Sequence, residues 1–193
     1  MQESLRYGVG LDIGTTHVRC VIGHFDGANQ SATIVGVGEA QNAGMRKGVV
    51  VNITGTAHAI DKALDESERM SGHHVEGVSV NVNGSHIMAM SSKGVVAVNS
   101  QNHEIAEEDI ARAQDAATVL QLPANREILQ VTARSYELDG QENIKDPLGM
   151  SGIRLEVDAH VITAFSPNVK NLLKSLEMTQ TGVNQGMVAG LAS

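Results

Sequence analysis

The chain has 193 residues, enough for one large domain or two small ones whose core needs neither disulfides nor metal. Acidic residues outnumber basic ones by 22 to 14, the formal net charge is −8, and no stretch gathers Lys and Arg into a stripe, so nucleic acid is disfavoured as a partner. Two Phe, two Tyr and no Trp argue against an aromatic stacking platform for single strands or sugars.

The single cysteine, Cys20, lies in an apolar stretch and reads as a small core residue of a protein kept in a reducing cytosol. Met1 to Arg6 contain no apolar signal region, and no apolar run approaches bilayer length, so nothing in this chain is expected to anchor it to a membrane.

Tyr7 to Gly14 alternate apolar and small positions and end in a Gly-Thr-Thr turn, which predicts a strand and a tight turn. A second strand follows over Val18 to Phe25. Asp26-Gly27 is a hairpin signal, and Thr33 to Ala40 supply a third strand. Beyond the glycine-punctuated segment Gly44 to Gly48, Ile53, Ala57, Ile60, Leu64 and Ser67 fall at helical spacing, with Asn52 as N-cap and an end near Met70. Val78, Val80 and Val82 form the next strand, completing a strand-strand-strand-helix-strand unit with a mixed sheet.

At Gly84 the pattern changes. Short strands over Ile87 to Met90 and Val95 to Val98 precede a helix from Glu107 to Gln121, whose Ile110, Ala113, Ala117 and Leu120 form one stripe. Two long alternating segments follow, Glu127 to Leu138 and Ile153 to Phe165, separated by a loop that holds Asp139-Gly140 and Asp146-Pro147. Ser166-Pro167 then open a helix as N-cap and N1, and Val183 to Ser193 read as a final strand.

Asp12, Gly14, Thr15, Thr16 and His17 are the residues with the most chemical content. A strand-ending Asp before a turn of small and hydroxyl residues suits a triphosphate: backbone N–H groups approach the phosphates, and the carboxylate contacts Mg²⁺ through water. The same stretch also reads as an ordinary glycine hairpin. His58, His73, His74 and His86 lack partners at metal-ligand spacing, so a solvated pair is expected at His73-His74 and no direct metal ligand. Glu107, Glu108 and Asp109 read as charge suited to a helix start rather than acid-base machinery, and no catalytic residue is assigned. Met88 and Met90 alternate in a strand and are expected by default to pack in the core, with an interface as the alternative.

These motifs resemble the FtsA family of bacterial cell-division proteins, through Gly10 to Thr16, Gly36-Val37-Gly38, Gly44 to Gly48, Val78 to Gly84, Ile144 to Gly152 and Ala189 to Ser193. The first motif is shared with the wider actin, Hsp70 and sugar-kinase superfamily; the others are more specific in this order. The resemblance implies an α/β plus α+β fold: an actin-like (ribonuclease H-like) subdomain IA over residues 1–84 and 166–193, interrupted by a small SHS2-like α+β subdomain IC over 85–165. It implies a non-enzymatic scaffold that binds ATP and Mg through Asp12, Gly14, Thr15, Thr16 and His17, associates with itself, FtsZ and later division proteins, and works in the cytoplasm at the inner face of the membrane at the division site. His17 stands where many members have lysine. The second phosphate loop, the adenosine-binding segment, the FtsZ-binding subdomain and the amphipathic membrane helix are expected beyond Ser193, which makes this chain an N-terminal part that holds one wall of the nucleotide cleft. A pilus-assembly actin homologue and a carbohydrate kinase are the alternative readings.

Overall fold

The computed structural model describes residues 6–26, 31–82, 84–100 and 102–188. The elements in chain order are β1 (Arg6–Ile13), β2 (His17–Asp26), β3 (Ser31–Gln41), β4 (Met45–Arg46), β5 (Val49–Val50), α1 (Ile53–Ser71), β6 (Gly77–Val82) and β7 (Met88–Ala97). They continue with α2 (Glu107–Ala117), β8 (Arg126–Leu138), β9 (Gln141–Ile144), β10 (Arg154–Phe165), α3 (Ser166–Glu177) and β11 (Gly182–Val188). The chain divides into two compact units: residues up to His86 together with those from Pro167 on, and Ile87–Ser166. Of the predicted Asp26-Gly27 turn, Gly27 lies outside the described residues, as do the last residues of the final predicted strand.

The first unit is built on a five-stranded sheet in the order β11-β6-β1-β2-β3. β2 runs antiparallel to both β1 and β3, while β6 is parallel to β1 and β11 to β6. The register pairs Leu11 with Cys20 and Val80, and Ile13 with Val18, so these buried side chains share one face. Against them lie Ala59, Ile60, Ala63, Leu64 and Ser67 of α1, all buried. Ser67 Oγ–H points at the Cys20 sulfur at 3.1 Å, and burial raises the Cys20 thiol above its ordinary value, so this cysteine packs as an inert core residue. Helix α1 is closed at both ends by its sequence. Asn52 Oδ1 accepts the Gly55 N–H at 2.9 Å, and Gly72, at φ 72°, adopts the left-handed conformation that returns its N–H to Glu68 C=O at 2.8 Å.

The second unit is a four-stranded sheet in the order β7-β10-β8-β9 with α2 packed on it. Leu155, Val157, Ala159, Ala113 and Ala117 are fully buried at its centre. Three details depart from the sequence expectations. The two short early strands are one strand, β7, in unbroken register with β10 from Met88 opposite Thr163 to Ala97 opposite Arg154. Gly94 is not a break: a Cβ there would land on the Ala113 carbonyl, so glycine is what lets α2 approach. Helix α2 ends at Ala117 rather than Gln121, because the Thr118 N–H and hydroxyl both turn back to Asp115 C=O, at 2.9 and 2.7 Å, and stop the ladder. The loop after Leu138 also contains a strand, β9, returned by the Asp139-Gly140 turn, where both residues have positive φ of 49° and 90°.

Asp109 differs most from its expected place. It is buried, at 4% exposure, and does more than sit in a charged first turn. Ala106 occupies the N-cap without a side-chain acceptor, and Asp109 Oδ2 accepts the Ala106 N–H at 3.1 Å while Oδ1 meets the Arg112 guanidinium. Burial alone would push the carboxyl up, but the Ala106 N–H, then Arg112 and the Asn99 N–H, outweigh it and hold Asp109 below the usual carboxylate range.

Two outcomes follow from this packing. Gly38→Ala places a methyl on the Ala63 carbonyl of α1 and should lower stability to urea by about 1–3 kcal/mol, whereas Gly10→Ala, with nothing within 4 Å of its Cβ, should be close to neutral. Because the native pKa of Asp109 is depressed, its contribution is present above the unfolded value near about pH 4 and lost as pH falls through the lower folded value. Asp109→Asn should therefore cost about 1–3 kcal/mol at neutral pH, and urea melts against pH should show the gap to wild type narrowing below about pH 4.

Candidate functional site

The end of β1 and the start of β2 are joined by Gly14, Thr15 and Thr16. Gly14 N–H donates to His17 C=O at 3.0 Å, and a Cβ on Gly14 would stand 2.8 Å from that same oxygen, so the turn requires glycine there. The N–H groups of Thr15 and Thr16 find no acceptor among the described residues. Two adjacent unspent donors on a tight turn make an electropositive stretch of backbone.

Asn42, just past β3 and 6% exposed, fixes this turn from behind. Its Nδ2 donates to Gly14 C=O at 2.8 Å, its backbone N–H to Thr16 C=O at 2.8 Å, and its Oδ1 accepts the Gly44 N–H at 2.9 Å. The segment Gly44–Gly48, expected only as a glycine-punctuated connection, leads into and turns the β4-β5 hairpin, in which Met45 pairs with Val50 and Arg46 with Val49. From its tip the Gly48 N–H donates to Thr15 Oγ1 at 2.9 Å. The Thr15 oxygen is thus an acceptor here, and its own proton remains for another partner.

Asp12 lies at the end of the same strand, half-buried, with Oδ1 accepting the Asn81 Nδ2–H at 3.0 Å. The parallel pairing of β1 with β6 sets that contact, since Asp12 is opposite Asn81 in the register. His17 Nδ1 stands 3.2 Å from Thr16 Oγ1. All five predicted site residues therefore gather at one turn. Sequence reasoning missed Asn42 and Asn81, whose partners are 28 and 69 residues away along the chain. A usable signal existed only for the hairpin, as the Lys47-Gly48 pair between Met45-Arg46 and Val49-Val50.

The other candidates resolve differently. His74 is exposed, as expected, with Nδ1 2.9 Å from Glu68 Oε1, while the His73 ring lies 3.7 Å from that of Tyr7 at a tilt of 43°. Among the described residues no group of three or more His, Cys, Asp or Glu is gathered to hold a metal ion. A cleft of about 310 Å³ in the first unit is lined by Asp61, Asp65, Glu68 and Glu76, and one of about 180 Å³ in the second by Glu137, Glu142, Glu156 and Asp158. Carboxylates dominate both linings, which disfavours anions there.

Residues 84–163 match the family described as the SHS2 domain inserted in FTSA. The chain is 37% identical over 185 residues to the cell division protein FtsA of Borreliella burgdorferi, covering 96% of this chain and 45% of that protein. It is 40% identical over 169 residues to FtsA of Bacillus subtilis, covering 88% of this chain and 38% of that protein. Among solved structures, the PilM-PilN type IV pilus biogenesis complex matches with a TM-score of 0.65 at 14% identity, covering 96% of this chain and 48% of that one. The sheet order, the turn and these likenesses define an actin-like fold interrupted by an inserted SHS2 domain. Within that class, the chain belongs to the FtsA family of cell-division proteins. It spans about half the length of the curated relatives it matches.

Proposed function

We propose that the Asp12–His17 turn is one wall of an ATP site in a cell-division scaffold of the FtsA kind. The observation that carries the reading is the pair of unspent N–H groups on Thr15 and Thr16, held in place by Asn42 and flanked by the Asp12 carboxylate. Backbone donors and the Thr15 and Thr16 hydroxyls bind phosphate oxygens, and Asp12 faces the cation that accompanies them, acting on Mg²⁺ through its retained water. His17 adds a donor but less fixed positive charge than lysine. The proposed role is binding rather than catalysis, with hydrolysis by the whole protein at most slow.

The remaining functions belong to a protein of the relatives' length. Such a protein links FtsZ to the inner face of the cell membrane at the division site and recruits later division proteins, with membrane contact through a C-terminal amphipathic helix of the kind the family implies. No helix among the described residues is long and apolar enough to cross a membrane. The inserted unit supplies self-association. In support, β7 is an edge strand whose Met88, Met90 and Val95 are exposed, with Lys93 as its only charged residue. The likeness to the pilus complex is one of fold and adds no reason to assign a pilus role.

The nucleotide reading is tested by calorimetry with ATP–Mg. In the protein at its relatives' length, Asp12→Ala should weaken binding at least about tenfold, or about 1.4 kcal/mol, with an unchanged circular dichroism spectrum. The present chain alone should bind more weakly than micromolar, because phosphate contacts leave the base unheld. The association reading is tested by sedimentation: Met90→Lys places a charge on the β7 edge and should shift concentration-dependent association toward monomer, while unchanged association would locate the contact elsewhere.

A further inference from the structure

We infer that Lys47, at the tip of the β4-β5 hairpin, is the cation of this phosphate site and binds the polyphosphate of a nucleoside triphosphate; the inference rests on the reading of the Asp12–His17 turn given above.

The turn by itself is electrostatically incomplete. Between Asp12 and His17 the ionisable groups are one carboxylate and one imidazole, while a triphosphate brings several negative charges next to that carboxylate. The nearest cation along β2, Arg19, is paired with Glu39 at 2.9 Å. A fixed positive charge from another element completes it, and the β4-β5 hairpin is tied to the turn through Gly48 N–H to Thr15 Oγ1 at 2.9 Å and through Asn42, which joins Gly14 to Gly44.

Reach and availability both select Lys47. Its Cα is two bonds from the Gly48 nitrogen, so it stands within roughly 5–6 Å of the Thr15 hydroxyl, about the length of a lysine side chain, and an ammonium there meets any oxyanion bound at Thr15. Lys47 is exposed and has no ion pair or hydrogen bond from its side chain among the described residues. Arg46 is also exposed but lies one residue farther from the contact.

The backbone supplies an independent reason. Lys47 and Gly48 have φ of 51° and 75°, the paired left-handed conformation of a two-residue hairpin turn, which Asn, Asp or Gly adopts at lower cost than lysine. A strained position that nonetheless carries a long cationic side chain beside an anion site is the kind of outlier that marks binding rather than folding.

The test uses the protein at its relatives' length, with ATP–Mg and inorganic tripolyphosphate as probes, titrated across salt concentrations. Lys47→Gly removes the charge and relaxes the turn, so its melting temperature should equal or exceed wild type. Its affinity for both probes should fall roughly tenfold or more and depend less on salt, and Lys47→Arg should recover most of the loss. If Lys47→Gly binds both probes as wild type does while Asp12→Ala loses ATP, the lysine assignment is overturned and the turn reading stands. If both variants bind ATP as wild type does, the turn reading itself fails and takes this inference with it.

Discussion

Helix α1 lies so close to β3 that the strand has room only for glycine beneath it. A Cβ at Gly36 would meet Ser67 C=O and one at Gly38 would land on Ala63 C=O, both of them backbone atoms that cannot swing aside. This contact fixes the path of α1 across the sheet and with it the return of β6 as the parallel neighbour of β1. Asn81 then arrives beside Asp12, so a helix-strand spacing set by two hydrogen atoms ends in the placement of a carboxylate. Close-packed interiors transmit displacement in this way because no slack exists to absorb it.

The phosphate turn depends on a different kind of constraint. Its conformation is held by polar bonds from one buried amide, and an amide in that position is effective because each of its atoms has a backbone partner: Gly14 C=O and Gly44 N–H through the side chain, Thr16 C=O through its own N–H. With the carbonyls of Gly14 and Thr16 drawn backward, the N–H groups of Thr15 and Thr16 have no acceptor among the described residues. The net charge of −8 does not contradict anion binding, since the local field at the turn is set by oriented N–H dipoles and nearby cations.

The inserted unit repeats the logic of the first with other residues. Gly94 lets α2 down onto β7 as Gly38 lets α1 down onto β3, and the Gln114 amide caps the Tyr136 hydroxyl at 2.9 Å on the same interface. Two depressed carboxylates close its loops. Asp109 caps α2 and braces Arg112; Asp139, at the β8-β9 turn, accepts the N–H groups of Ile153 and Arg154 at 2.9 Å each. What stays uncovered is the β7 edge with Met88 and Met90, for which core packing was the default expectation from sequence. Alternation along a strand says which residues share a face, but not whether a helix is long enough to cover all of them.

By itself the sequence determined what is local. Periods of two and of about 3.6 residues located the main strands and α1, Asn52 marked the start of that helix and its end was placed near Met70, and Gly14 to Thr16 marked a tight turn, because each of these depends on neighbours within a few residues. It misjudged α2 and β7, where the deciding facts were a threonine folding back on its own carbonyl and a glycine seat under a helix. Only the tertiary structure decided that Asp109 is buried, that Asn81 holds Asp12, and that Asn42 and Gly48 bring the Lys47 hairpin to the Asp12–His17 turn. Those contacts join residues 10 to 69 positions apart, and their energy comes from satisfying buried polar groups whose partners no periodicity in the chain announces.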